Sequence, residues 1–280
     1  MSQHTTQAPL TNIQLRATPP AIYSYPVELQ VERTGLFLGQ AARVVYILGR
    51  RSLGWNSTSV LGDVAQYLNT TQDRINAVST GTTYYLNSTS ANDTAAGTGA
   101  RTVRIVYLDS SGNQQVRTDT LNGTTPVSIG SGYSYFQWAE VASVGSGGVS
   151  AGNITISSTN GAATTATTVE YIAAGGNRSL SARYKVPTGY TAYITSWDVN
   201  AINGDMDARL RAQVFADDRA LSTVHHFQGN LYQAANTRGE QRLDYLPVPA
   251  GAEIKISAIP SASAAGNRCD ASFRLILVLN

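Results

Sequence analysis

Apolar residues recur at every second position through much of the chain, which is the spacing of β-strands with one buried face. In VELQVER (27–33), Val27, Leu29 and Val31 share one face of a predicted strand. ARVVYILGR (42–50) predicts a second and more buried strand. Turn residues interrupt this alternation roughly every ten residues, as in antiparallel β-sandwiches.

The later part of the chain continues the same pattern after Gly175-Gly176. We therefore predict an all-β protein with two antiparallel, jelly-roll-like β-sandwich domains, at residues 27–160 and 168–280. NGAATTATT (160–168) is the predicted linker, and Gly175-Gly176 is an alternative break. Two Val-Pro-x-Gly segments, at 186–189 and 248–251, predict tight corners that each begin a strand.

Two local signals depart from plain strand alternation. The pattern predicts at most one short helix, near residues 63–76, with Asp63 as its N-cap and Val64, Tyr67 and Leu68 on one side. Asn122-Gly123 is a strong hairpin signal between two predicted strands.

Residues 1–26 are predicted to form an extended N-terminal arm, because Pro19, Pro20 and Pro26 prevent a helix through their part of it. A disordered tail is one interpretation, and an arm that docks on a neighbouring subunit is the other. The spacing of its apolar residues favours the docking arm. These residues are Leu10, Ile13, Leu15, Ile22, Tyr23 and Tyr25.

Composition narrows the classes of function. Charged residues make up 14% of the 280 residues, against roughly 25% in ordinary soluble domains. The net charge is +2 and no basic run is present, so we predict no direct contact with nucleic acid. No secretory leader is predicted, and no apolar run reaches the ~20 residues of a membrane span. The single Cys269 excludes an internal disulfide.

The segment Gly97-Thr98-Gly99 raises the possibility of a phosphate-binding loop. Such a loop needs a following helix, whose N-terminal amides point at the anion. Here RTVRIVYLD (101–109) follows, and its alternation and β-branched residues predict a strand. The glycines therefore predict a turn, and no nucleotide cofactor.

Candidate catalytic and metal-binding residues are few. His225 and His226 are adjacent on a predicted strand and so point to opposite faces, which disfavours a shared metal. Asp205 and Asp207 could form a carboxylate pair, but aspartates are common in turns. We predict no catalytic residue, no metal and no cofactor.

Six aromatic residues form a further candidate group. They could stack on sugar rings, or they could be core, rim or subunit-contact residues, as amphipathic rings often are. The six are Tyr133, Tyr135, Trp138, Tyr190, Tyr193 and Trp197.

Several segments resemble a widespread family of tailed-bacteriophage virion structural proteins. They are DTAAGTGARTV (93–103), LNGTTPV (121–127) and VPTGYTAYITSW (186–197), in this order within residues 85–280. The resemblance implies a non-enzymatic structural protein of the virion, assembled in the host cytoplasm. Together with the predicted arm, it favours a capsid-associated decoration or cement protein that forms a homo-oligomer, such as a trimer, and contacts other virion proteins. The alternative is a neck, tail or fibre-associated protein that contacts host glycans.

Overall fold

The computed structural model describes residues 42–51, 62–67, 74–215, 223–262 and 266–280. The predicted arm, with all six of its apolar residues, and the predicted strand at 27–33 lie outside the described residues. Within the described residues the protein is all-β, and every strand pair is antiparallel. The predicted fold class is thus confirmed.

The described residues form sixteen strands, which are numbered in chain order. They are β1 (Ala42–Arg51), β2 (Gly62–Asp63), β3 (Tyr84–Ser88), β4 (Ala100–Asp109), β5 (Gln114–Thr120), β6 (Val127–Gly130), β7 (Tyr133–Val144), β8 (Ile154–Ser157), β9 (Thr168–Ile172), β10 (Arg183–Lys185), β11 (Tyr190–Ile202), β12 (Met206–Phe215), β13 (Thr223–Gln233), β14 (Thr237–Val248), β15 (Glu253–Pro260) and β16 (Arg268–Leu279).

Eight of these strands form a jelly roll. Its two sheets have the orders β1-β16-β11-β14 and β10-β15-β12-β13, with β2 added beside β15. Along these eight strands the first pairs with the last and so on inward, which gives the pairs β1–β16, β10–β15, β11–β14 and β12–β13. A two-stranded ribbon rolled into two packed sheets has this pairing, and it is the architecture of jelly rolls. The facing sheets bury a common core that includes Trp197, Leu210, Ile254 and Phe273.

Strands β3 to β9 form a second sandwich, inserted between β1 and β10 of the jelly roll. We call residues 84–172 the insert. Its sheets have the orders β6-β3-β8-β9 and β5-β4-β7, and they enclose a separate core around Tyr84, Ile105 and Phe136. The strand pairing therefore divides the chain differently from the predicted ranges 27–160 and 168–280. The segment 160–168 leads from β8 into its antiparallel partner β9, so it is a loop within the insert rather than a linker.

The structure corrects the two local predictions. Of the predicted helix, residues 63–67 and 74–76 are described and are not helical. Asp63 lies in β2 opposite Ser257, and Val64 is buried in the jelly-roll core, so tertiary packing overrides the local cap signal. Asn122-Gly123 connects β5 to β6, which lie in different sheets, and it is not a hairpin turn.

The two Val-Pro-x-Gly corners are confirmed, and they contact each other. In the first, the Tyr190 N–H donates to the Pro187 carbonyl (3.3 Å), and Gly189 has a φ of 81° that favours glycine. Gly251 of the second corner has the same φ, and its N–H donates to the Val186 carbonyl (2.8 Å). Each corner begins a strand, so together they fix where β11 and β15 start.

Candidate functional site

The loop that precedes β4 surrounds a carboxylate of the protein itself, which is the side chain of Asp93. The carboxylate of Asp93, which is 0% exposed, accepts hydrogen bonds from the backbone N–H groups of Ala100 (2.7 Å), Ala151 (2.8 Å) and Gly152 (2.8 Å). The Ser88 hydroxyl donates to the same carboxylate at 2.5 Å. The predicted turn is confirmed, because Gly99 is followed directly by strand β4 and not by a helix.

Close backbone approach explains the glycines of this loop. A Cβ atom at Gly97 would overlap the Asn92 carbonyl, and one at Gly99 would overlap the Asp93 carboxylate. Glycine at these positions lets the loop close around Asp93. The pattern that resembles a phosphate loop is therefore an internal clamp that joins β3, β4 and the segment before β8.

The six candidate aromatic residues do not form one platform. Tyr133 is buried in the core of the insert and Trp197 in the core of the jelly roll. Tyr135 is buried between the two sandwiches, where its hydroxyl donates to Glu253 Oε1 (2.7 Å). Only three of the six are half-buried: Trp138, Tyr190 and Tyr193.

Neighbouring side chains cover the half-buried rings in part. Trp138 stacks on Tyr184, with ring centroids 6.4 Å apart, and the Arg178 guanidinium lies 5.4 Å from the Trp138 ring. The Arg43 guanidinium lies 5.8 Å from the Tyr190 ring. These contacts favour the core and rim interpretation of the aromatic group over the sugar-stacking interpretation.

A buried glutamine joins the two sandwiches. The register of β4 against β7 shifts beside Gln137, which places Phe136 in the core of the insert and Trp138 against the jelly roll. The Gln137 side chain donates to the Lys185 carbonyl (2.6 Å) and accepts from the Lys185 N–H (3.0 Å). The Gln137 side-chain amide thereby makes the two hydrogen bonds that a neighbouring strand would otherwise make to the backbone of Lys185 in β10.

We expect Gln137→Leu to lower the free energy of unfolding by about 1–3 kcal/mol, because it leaves both Lys185 backbone groups without their partner. Chemical denaturation followed by circular dichroism measures this loss. Gln115→Leu is the matched control, since Gln115 is exposed and bonds only locally to Asp109. Equal losses in the two variants would contradict the bridging role of Gln137.

An ion pair forms a second connection between the sandwiches. Glu170 lies in β9 of the insert and Arg183 lies in β10 of the jelly roll, and their side chains are 2% and 6% exposed. The Arg183 guanidinium donates to Glu170 Oε1 (2.6 Å) and to the Val169 carbonyl (2.9 Å). Burial raises the pKa of the Glu170 carboxyl, and the adjacent Arg183 opposes this shift. Gln137, Glu170, Arg183 and the Tyr135–Glu253 bond together make up what we call the junction.

Strand β1 carries an apolar row on its outer face. Val45 and Ile47 point into the jelly-roll core, whereas Val44, Tyr46 and Leu48 are 45%, 56% and 43% exposed. The predicted strand is thus confirmed, but only every second side chain in its centre is buried. We call Val44, Tyr46 and Leu48 the apolar row. Since β1 is the end strand of its described sheet, this row lies at a border of the jelly roll.

The carboxylate candidates occupy structural positions. Asp205 accepts hydrogen bonds from the Ala235 N–H (2.8 Å) and the Tyr232 hydroxyl (2.9 Å), and both lower the pKa of its carboxyl. Asp207 forms an ion pair with Arg209 (3.3 Å). The two aspartates therefore have separate partners.

The remaining candidates give no reactive cluster among the described residues. Cys269 is buried, and burial raises the pKa of its thiol to about 12. His225 and His226 lie in β13, and their side chains are outside the described set. Across the described ranges, no group of three or more His, Cys, Asp or Glu residues is placed to hold a metal ion. No helix there is long and apolar enough to span a membrane.

No protein-family model matches the chain, and no curated protein matches it. A solved structure of the Gx strain of infectious bursal disease virus overlaps 85% of this chain and 72% of its own, with 10% identity and a TM-score of 0.23. The VP2 subviral particle of the same virus overlaps 86% and 73%, with 12% identity and a TM-score of 0.19. Both TM-scores are too low to indicate a shared fold.

Proposed function

We propose that the chain is a non-enzymatic structural protein of a tailed-phage virion, and that it decorates or cements the capsid as a homo-oligomer. Its partners are other copies of itself and virion proteins such as the major capsid protein. The sequence segments that resemble virion proteins support this proposal. A jelly roll supports it at the level of architecture, because viral shell proteins share this architecture with lectins and cupins.

The observation that carries the proposal is the apolar row on β1. Three large apolar side chains on one border strand offer a contiguous surface that a subunit contact would remove from water. The hydrogen bonds of Gln137 and the buried Glu170–Arg183 pair connect the two sandwiches, which supports a subunit that assembles as one body. In this proposal the N-terminal arm adds a further contact to the neighbouring subunit.

Tyr46→Asp tests the assembly surface. We expect this change to weaken oligomer formation and capsid attachment at least about tenfold, because it places a charge in a contact that loses water. The measurements are light scattering after size-exclusion chromatography, and co-sedimentation with capsids that lack the protein. Val116→Asp is the matched control, because Val116 is 52% exposed on β5, an end strand of the insert.

The circular dichroism spectra of both variants should match that of the unchanged protein, since neither side chain lies in a core. The proposal predicts that only Tyr46→Asp loses assembly and attachment. If Tyr46→Asp assembled and attached as well as Val116→Asp, the apolar row would not be the contact surface.

A further inference from the structure

A charged cavity of about 210 Å³ lies between the insert and the jelly roll, beside the junction. Tyr135 and Ser134 of β7 form one side of it, and the outer face of β10 and β15 forms another. Its charged lining residues are Asp63, Arg74, Arg183, Lys185, Glu253 and Lys255. Four of these six side chains are cationic, which is an unusual lining for a site between two packed domains.

Strand register concentrates positive charge on one side of this cavity. Arg183 of β10 is directly opposite Lys255 of β15, and Lys255 is directly opposite Arg211 of β12. Three cations therefore lie in one row across three neighbouring strands. Like charges in such cross-strand positions repel each other, so the row needs compensation. Burial also lowers the pKa of Arg211.

The nearby carboxylates compensate this row only in part. Asp63 Oδ1 lies 3.2 Å from Lys255 Nζ and also accepts from the Ser257 hydroxyl (3.1 Å). Glu170 pairs with Arg183, and Glu253 accepts from the Tyr135 hydroxyl. Among the described residues that line the cavity, with Glu170 included, there are four cations and three carboxylates.

Two buried donors of the row also have no acceptor. The Nε atoms of Arg183 and Arg211 are buried without a hydrogen-bond partner. A buried donor of this kind costs free energy unless an acceptor reaches it. Arg183 lines the cavity, whereas Arg211 does not, so the cavity, its cationic lining and the Arg183 Nε donor are the three features that an oxyanion would satisfy together.

We propose that this cavity binds a small oxyanion, either phosphate or the carboxylate of a ligand, through Arg183, Lys185 and Lys255. An oxyanion accepts several charge-assisted hydrogen bonds and would neutralise the cation row. Because both sandwiches contribute to the cavity, the bound anion stabilises the junction. This inference does not depend on the proposed role in the virion.

Isothermal titration calorimetry of the full chain with inorganic phosphate tests the site, at neutral pH and constant ionic strength set by chloride. We expect saturable binding that Lys185→Gln and Lys255→Gln each weaken at least about tenfold. Arg104→Gln is the control, because Arg104 is an exposed arginine of β4 outside the cavity. Two lysine variants are used so that a folding defect in one does not remove the test.

A parallel titration with acetate identifies the source of the oxyanion. Binding of phosphate alone assigns the site to a phosphate group, and binding of acetate assigns it to a carboxylate. Phosphate also stabilises proteins without binding to a site, and such an effect would be the same in Lys185→Gln and in Arg104→Gln. Absence of saturable binding of both anions, or binding that Lys185→Gln leaves unchanged, would overturn the proposal.

Discussion

Asp93→Ala is expected to lower the free energy of unfolding by about 3–5 kcal/mol, because it leaves two buried backbone N–H groups and one part-buried group without an acceptor. Those groups belong to Ala100, Ala151 and Gly152, which come from two separate segments of the insert. The loss should therefore affect the whole insert and not only the loop. Denaturant unfolding followed by circular dichroism measures this loss, and native-state hydrogen exchange of the amides in β3, β4 and β8 shows that it extends through the insert.

Asp109→Ala is the matched control for Asp93→Ala. Asp109 also accepts backbone N–H groups in a loop beside β4, from Ser111 (3.0 Å) and Asn113 (2.9 Å). Its contacts are exposed to solvent, so water can replace the lost carboxylate and we expect a much smaller effect. Similar losses for the two aspartates would contradict the clamp role of Asp93.

Glu170→Leu is the second substitution with a large expected effect. It leaves the buried Arg183 guanidinium without its carboxylate, which typically costs about 3–5 kcal/mol. The double variant Glu170→Leu/Arg183→Met removes both charges, and we expect it to be more stable than Glu170→Leu alone. Urea unfolding of the two single variants and the double variant, in phosphate-free buffer, measures this difference. Additive losses would show that the two side chains do not depend on each other.

Alternation of apolar residues predicted those strands that bury one face in a core. RTVRIVYLD gives β4 and ARVVYILGR gives β1, close to their observed ends. The Pro-x-Gly corners were also predictable, since their geometry depends on only four residues. Local sequence determines these features, so no knowledge of distant partners is needed.

Alternation does not predict which strands pair with each other. Period-two alternation in β1 does not show that its neighbour is β16, at the other end of the described chain. The jelly-roll pairing, and with it the position of the insert, depends on contacts between strands far apart in sequence. The same limit applies to Asn122-Gly123, whose local signal cannot show that β5 and β6 belong to different sheets.

Two residues of the junction are polar residues within otherwise apolar segments of the sequence. Gln137 interrupts the apolar run YFQWA, and Glu170 stands inside the short strand TVEYI. Polar residues in such positions indicate buried hydrogen bonds to another element. The distribution of the six aromatic residues was not predictable, because periodicity does not tell which of the two cores receives Tyr133 or Trp197.

The copy number of this chain in purified phage particles tests its proposed role most directly. Quantitative mass spectrometry against the major capsid protein gives that number. A capsid decoration protein should be present in numbers comparable with the capsid subunits, and Tyr46→Asp should deplete it from the particles while Val116→Asp should not. A copy number that corresponds to one ring of subunits per particle would instead favour a place in the neck or tail. Absence of the chain from purified particles would contradict a structural role in the virion.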